Sequence, residues 1–300
     1  MHLKELNYIV TLADEKSISR AADKLYMAQS SLSQFLQQYE SELGVTLFVR
    51  TSKGIRPTAA GELFVDNART ILTHYRLVQN ELADMAELKG GRVIFGISSF
   101  RGKYMLPRIL KRFYEKYPQV RVDIIEANSM ALEEHLVRGS IDLAIVALPL
   151  TRLDHEVEFL KRDEVFLVAN RHHPVMRYAH KRENSPYFWV DLKDTENFEY
   201  ILSDYDTMLG SISRQQFKKA GVKAISHNSN ITADMAAAMA REGLGLAFTY
   251  HSCAENHKDA VYLSIGEEGV FLDLALAHPY STYQSRAARA LAKVIQETEG

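Results

Sequence analysis

The chain has 300 residues, 46% hydrophobic and 25% charged, which suits a globular protein able to bury two cores and excludes disordered and collagen-like classes. A net charge of −2 argues against bulk electrostatic attachment to nucleic acid, so for any contact with DNA local charge is what matters. No apolar run reaches the roughly 18 residues of a membrane span, the amino terminus lacks a signal-peptide core, and the single cysteine, Cys253, cannot form an internal disulfide; the expected location is cytoplasmic, with no membrane partner and no two-cysteine redox switch.

From Ser17 to Glu42 the spacing predicts two short helices either side of a break at Tyr26, Met27 and Ala28. In the second, Leu32, Leu36, Tyr39 and Leu43 recur at helical spacing and are expected to be buried, which turns Gln29, Ser30, Ser33, Gln34 and Gln37 outward. A solvated face would normally carry Lys and Glu. Short hydroxyls and amides instead both donate and accept hydrogen bonds to base edges. Two helices so joined, the second carrying the polar readers, are what a helix-turn-helix requires. Downstream, Arg50, Lys53 and Arg56 crowd into LFVRTSKGIRPT, where Ser52, Lys53 and Gly54 form the tip of an expected hairpin. An isolated basic loop of this kind is more often just solvated. Beside a helix-turn-helix it reads as a wing that touches phosphates and holds the register.

After Pro57 and Thr58 a long pattern runs without internal proline. Phe64, Ala68, Ile71, Tyr75, Val78, Leu82 and Met85 alternate steps of four and three, a heptad seam of about three repeats. So narrow a stripe needs a partner helix, and pairing two copies would double the contacts of a small reading head. Lys89, Gly90 and Gly91 are expected to close the helix as a hinge.

From Leu6 to Gly61 the chain resembles the amino-terminal domain of the LysR-type transcriptional regulators. Ala21, Ala22, Leu25, Gln29, Ser33, Glu40, Leu43, Gly44, Leu47, Phe48, Arg50, Thr58 and Gly61 match that pattern in order and spacing. The likeness continues more loosely at Leu106 with Pro107, Gly139 to Ala144, His173 with Pro174, and Gly243 to Gly245. It implies a winged helix-turn-helix over 1–58, a linker helix over 59–90 that pairs subunits, and an effector-binding domain over 91–300. RNA polymerase is a further candidate partner.

The remaining residues alternate between strand and helix. Strands are expected at Val93 to Ile97, Val120 to Glu126, Ile141 to Leu148, and near Val165 to Ala169, Tyr200 to Ser203, Leu246 to Thr249 and Phe271 to Ala277. Helices fall between them at Gly102 to Tyr117, Ala131 to Arg138, Ser211 to Ala220 and Thr232 to Arg241, with a last one at Ser285 to Glu297. The alternation predicts an α/β fold with a mainly parallel sheet. The family resemblance implies two subdomains like those of periplasmic binding proteins, 91–162 with 268–300 and 163–267, around a cleft. Ligands in such sheets sit at the carboxyl ends of strands. Ser98, Ser99, Phe100 and Arg101 follow the first strand where a helix opens, so free backbone amides and hydroxyls converge there and suit a carboxylate. The resemblance adds Asn128, Ser129, Ala147, Pro149, Ser203, Asp204 and Thr249 as facing positions.

Enzyme readings find little support. There is no G-x-S-x-G elbow, P-loop or HExxH, and Gly243, Gly245 and Phe248 fail the dinucleotide fingerprint. His251, Cys253 and His257 lack the paired spacing of a metal site, so no metal or cofactor is expected. The expectation is a DNA-binding regulator of dyad-symmetric promoter sites, dimeric or tetrameric, controlled by a small effector, in which a carboxylate is favoured. The alternatives are a solute sensor without DNA function, against which Ser17 to Arg56 speaks, and a catalytic effector domain.

Overall fold

The computed structural model describes residues 2–52, 54–85, 91–153, 157–183, 185–280 and 283–300. The wing residue Lys53, the hinge residues Lys89 and Gly90, and the side chain of Met85 lie outside the described residues. By contact the chain divides into two compact units, Met1–Leu88 with Arg138–Ser140, and Lys89–Val137 with Ile141–Gly300.

The first unit contains α1 (Leu3–Glu15), α2 (Ile18–Lys24), α3 (Gln29–Leu43), the hairpin strands β1 (Phe48–Thr51) and β2 (Gly54–Pro57), and α4 (Ala59–Met85). Leu6, Ile9 and Leu12 of α1, Ala21 and Ala22 of α2, and Leu32, Leu36 and Tyr39 of α3 are buried, as the helical period requires. Small residues at 21 and 22 let α2 and α3 approach. Leu43 departs from the expectation: it is 43% exposed, because α3 ends there and Gly44 takes the left-handed conformation at φ 68°. Glu40 ties α3 to the wing, since its Oε1 accepts the backbone N–H groups of Leu47 (2.6 Å) and Phe48 (2.8 Å). The seam on α4 divides in two. Ala68 is buried and Phe64 packs edge-on against Tyr39 at 5.8 Å, so both serve the core of their own unit rather than a partner. Ile71, Tyr75, Val78 and Leu82 are exposed by 39%, 47%, 52% and 60%.

The second unit begins with β3 (Gly91–Ile97), α5 (Ser99–Lys116), β4 (Val120–Glu126), α6 (Ser129–Val137) and β5 (Leu143–Ala147). The long β6 (Val157–Asn170) follows, then β7 (His180–Lys181), β8 (Phe188–Val190), β9 (Glu199–Ser203), α7 (Met208–Ala220), β10 (Ile225–Ile231) and α8 (Ala233–Arg241). It closes with β11 (Ala247–Tyr250), β12 (Ala260–Ile265), β13 (Val270–Ala277) and α9 (Arg286–Glu299). The main sheet has the order β4-β3-β5-β13-β6-β12-β8-β7, with β11 also on β6, and β9 and β10 form a separate parallel pair. Among the described residues, β3 with β4 and β5, and β12 with β8, are the pairs that run parallel in the main sheet. Antiparallel pairing joins β13 to β5 and β6, and β11 and β12 to β6, so the sheet is mixed where the sequence alternation predicted a mainly parallel one. The strands β7, β8, β10 and β12 escaped the sequence reading. An expected boundary at 162/163 falls inside β6, a continuous strand that pairs with β13 at one end and with β11 and β12 at the other.

Candidate nucleic-acid interface and ligand cleft

Burial of Leu32, Leu36 and Tyr39 fixes the rotation of α3, and Gln29, Ser30, Gln34 and Gln37 are accordingly exposed. Ser33 is half-buried, and its hydroxyl accepts from Arg50 Nη2 of the wing at 3.4 Å. Gln29 accepts from the Ser19 hydroxyl at 2.9 Å. Phe35 is not part of this face. It packs edge-on against Tyr8 at 5.1 Å and stacks on Tyr39 at 5.3 Å, which anchors α3 from behind and leaves the glutamines free to point away. The hairpin pairs Thr51 with Gly54 and Arg50 with Ile55, placing Arg50 and Arg56 on exposed positions. Gly54 is needed there: at φ 119° a Cβ would stand 2.2 Å from the Lys16 carbonyl oxygen.

In the second unit a cavity of about 380 Å³ lies where several helices open. Ser98, Ser99, Phe100 and Arg101 line it from α5, and Ala127, Asn128 and Ser129 from α6. Asp204, Thr207, Met208 and Leu209 contribute from the approach to α7 and its first turn, Asn230 and Ile231 from the end of β10, Thr232 and Ala233 from the opening of α8, and Tyr250 from the end of β11. The amino termini of α5, α6, α7 and α8 thus face one space, and each brings the positive end of its backbone dipole. Three of them are satisfied locally. Asn128 Oδ1 accepts from Ala131 N (2.9 Å), Thr207 Oγ1 from Gly210 N (3.0 Å) and Thr232 Oγ1 from Met235 N (3.3 Å). Ser98 makes no such bond, so α5 presents its first turn without a side-chain cap. The helix starts at Ser99, earlier than the expected Gly102, which makes Ser99, Phe100 and Arg101 that uncapped first turn.

Arg101 points inward and is 4% exposed. Its guanidinium lies 3.7 Å over the Tyr250 ring, and Nη2 stands 3.4 Å from Asp163 Oδ2. Asp163 is held in turn by Ser252, whose backbone N–H (2.9 Å) and hydroxyl (2.7 Å) donate to it. The charge of Arg101 is therefore already balanced, although its Nε finds no partner among the described residues. On the opposite wall Asn230, with its amide turned to suit both groups, donates to Asp204 Oδ1 (3.3 Å) and Oδ2 (3.1 Å).

Four expected ligand positions do not line this cavity. Ala147 and Thr249 are 1% exposed and point into the core, because side chains alternate along a strand and it is the next residue, Tyr250, that turns toward the space. Ser203 is buried and its carbonyl accepts from Arg214 Nη2 (3.2 Å), while Pro149 is exposed beyond β5. Thr207 and Thr232, which sequence reasoning passed over, were open to detection as caps preceding helical patterns. Asn230 gave no such signal, since β10 reads ISHNSNI, too polar to suggest a strand. His251 and His257 do not converge: the first packs edge-on against Phe166 and Tyr187, and Nδ1 of the second accepts from Asp259 N at 3.3 Å.

Two family models cover nearly the whole chain, a bacterial regulatory helix-turn-helix of the lysR family over residues 3–62 and a LysR substrate binding domain over residues 86–299. The chain belongs to the LysR family. This is a family of transcription regulators, not of enzymes. The DNA-binding transcriptional dual regulator OxyR of Escherichia coli is 34% identical over 169 residues, 56% of this chain and 55% of that one. The uncharacterized HTH-type regulator YcgK of Bacillus subtilis is 33% identical over 150 residues, 50% of this chain and 46% of that one. The chain thus spans about half the length of the curated relatives it matches. Full-length OxyR of Pseudomonas aeruginosa superposes with a TM-score of 0.67 at 26% identity, over 99% of this chain and 98% of that one. No described helix in this LysR-family chain is long and apolar enough to cross a membrane.

Proposed function

We propose that this LysR-family chain is a cytoplasmic, sequence-specific DNA-binding regulator whose grip on a dyad-symmetric promoter site is set by a small anionic ligand in the cleft of its second unit. The observation that carries the reading is the outward face of α3. Gln29, Ser30, Gln34 and Gln37 stand on a helix whose opposite side is locked by Leu32, Leu36 and Tyr39, beside a hairpin carrying Arg50 and Arg56. Amides on a rigid helix read bases, and arginines on a flanking hairpin hold phosphates. A sensor without DNA function would have no use for that face. The exposed stripe of Ile71, Tyr75, Val78 and Leu82 supports pairing of two copies, which supplies the second half-site. A shift assay with duplexes from its own promoter region tests the reading, and absence of a retarded complex at low salt would refute it.

The ligand is proposed to be a carboxylate that also bears an amine or hydroxyl. The uncapped first turn of α5 and the converging helix dipoles favour negative charge, while Asp204 on the facing wall repels a dianion and welcomes a donor. Binding would bias two arrangements of the subunits through its different affinity for each. Peroxide sensing, the activity in the names of several relatives, finds no support here. Cys253 is the single cysteine, it is 1% exposed, and burial pushes its thiol up to about 12, so the reactive thiolate is scarce.

A further inference from the structure

Beside the cavity, away from its lining, its two walls are joined by charge. Lys103 Nζ of α5 donates to Asp234 Oδ1 on α8 (2.6 Å) and to Glu255 Oε1 beyond β11 (3.2 Å). The Tyr104 hydroxyl lies 3.1 Å and 2.9 Å from the same two oxygens. Arg241, at the other end of α8, holds the second oxygen of Glu255 at 3.1 Å. Two carboxylates therefore meet two cations and one phenol. The backbone of Glu255 is itself pinned, because the Tyr262 hydroxyl accepts from its N–H and donates to its carbonyl, both at 2.9 Å.

None of Lys103, Tyr104, Asp234 or Glu255 lines the cavity, yet α5 and α8 both do. The Phe100 ring rests edge-on against Tyr104 at 5.7 Å, and Asp234 follows Ala233 in the first turn of α8. The positive ends of α5 and α8 face the same space and repel each other weakly when no anion lies between them. An isolated pair with Lys103 47% and Asp234 40% exposed would contribute little. Here one lysine and one tyrosine bridge two acceptors on separate segments, and the shared acceptors make the group act as a unit.

We propose that Lys103, Tyr104, Asp234 and Glu255 are positioning residues that clasp α5 to α8 and hold the two walls of the cavity at a fixed separation. The proposal rests on the cleft being the ligand site only for its consequence, that ligand length is matched to that separation. The clasp itself is made by side chains of this chain alone. The test is hydrogen exchange on the full-length, ligand-free protein. In Lys103→Met the hydrogen-bonded amides just inside the two helix openings, from Gly102 onward in α5 and from Ala236 onward in α8, should exchange about tenfold faster, while those of β3 and β6 keep their wild-type rates. Lys103→Arg should restore most of the protection, and Tyr104→Phe should show a smaller rise at the same amides. Raising the salt should accelerate these amides in wild type and leave Lys103→Met unchanged. Unchanged exchange in Lys103→Met would overturn the clasp, and so would a rise spread evenly over β3 and β6 or a failure of arginine to rescue. Because no ligand enters the experiment, an error in the proposed ligand class does not alter the exchange rates it reads.

Discussion

The polar face of α3 and the cavity of the second unit, the two recognition sites proposed, are built in opposite ways. The α3 face is made of side chains from one short segment, and beyond the first turn its backbone is hydrogen-bonded within the helix. The cavity draws on the openings of four helices that lie far apart in sequence, where capping side chains stand among apolar ones such as Phe100, Met208 and Ile231. A face meant to discriminate bases needs varied donors and acceptors in a fixed row. A site meant to hold a small anion needs only convergent N–H groups and little mobile charge, and the pairing of Arg101 with Asp163 fits that need.

The contrast can be broken most severely at Gly61. A Cβ there would stand 1.9 Å from the Leu47 carbonyl oxygen, which belongs to the chain entering the wing. Gly61→Val is expected to cost more than about 4 kcal/mol and to abolish DNA binding, read as lost exchange protection in α3 and β1. Protection retained at the wild-type level would show that the wing does not depend on that close approach. Next in size is Val78→Asp, which puts a charge into the proposed pairing stripe of α4. Light scattering should then give the mass of one chain, 34.1 kDa, and a mutant of wild-type size that still binds a full palindromic site would remove the pairing claim.

Sharper tests act on single contacts. Gln34→Ala should cost about 1–3 kcal/mol on the preferred site and relax choice at one position, where adenine is the expected partner of a glutamine. Arg50→Ala should weaken all sequences alike and lower the salt slope by about 1. Selection from random duplexes decides between them, and equal shifts in preference would erase the division between reading helix and wing. On the cleft side, calorimetry with amino and hydroxy carboxylates and their amides should find the acids tighter, and Ser99→Ala should lose about 1 kcal/mol. Equal binding of acid and amide would contradict a site built from helix openings.

The smallest effect concerns pH. Burial raises Asp234 and Glu255, but the hydrogen bonds from Lys103 and Tyr104 and the nearby charge of Arg241 outweigh it, so both stand below the ordinary carboxylate value. Lys103 is raised by its hydrogen bond to Asp234. Groups with depressed folded values stabilise fully above their unfolded values and lose that contribution as pH falls through the folded ones. Protection of the α8 amides from Ala236 onward should hold through neutral pH and decline only in acid below the ordinary carboxylate range. A decline centred near the histidine range would point to another group.

Legibility in the sequence follows the same division. The α3 face was readable because the helical period alone assigns Leu32 and Gln34 to opposite sides; Leu43, at the Gly44-capped end, and the half-buried Ser33 departed from it. The cleft was half readable. Ser98 to Arg101, Asn128, Ser129 and Asp204 line it as expected, whereas Thr249 and Tyr250 exchanged places, since a one-residue error on a strand inverts the side chain. Asn230 stayed hidden because β10 is polar and pairs with β9 alone.

Composition and local period by themselves determined the helix-turn-helix, the hairpin, the long α4 and most of the strands and helices, since these depend on neighbours within a few residues. Only the tertiary structure decided that the sheet is mixed, that β6 runs unbroken through the expected boundary, that Phe64 and Ala68 turn into their own core, and that Lys103 and Tyr104 meet Asp234 and Glu255. Strand direction and long-range charge pairing join residues more than a hundred positions apart, and no local period carries that information.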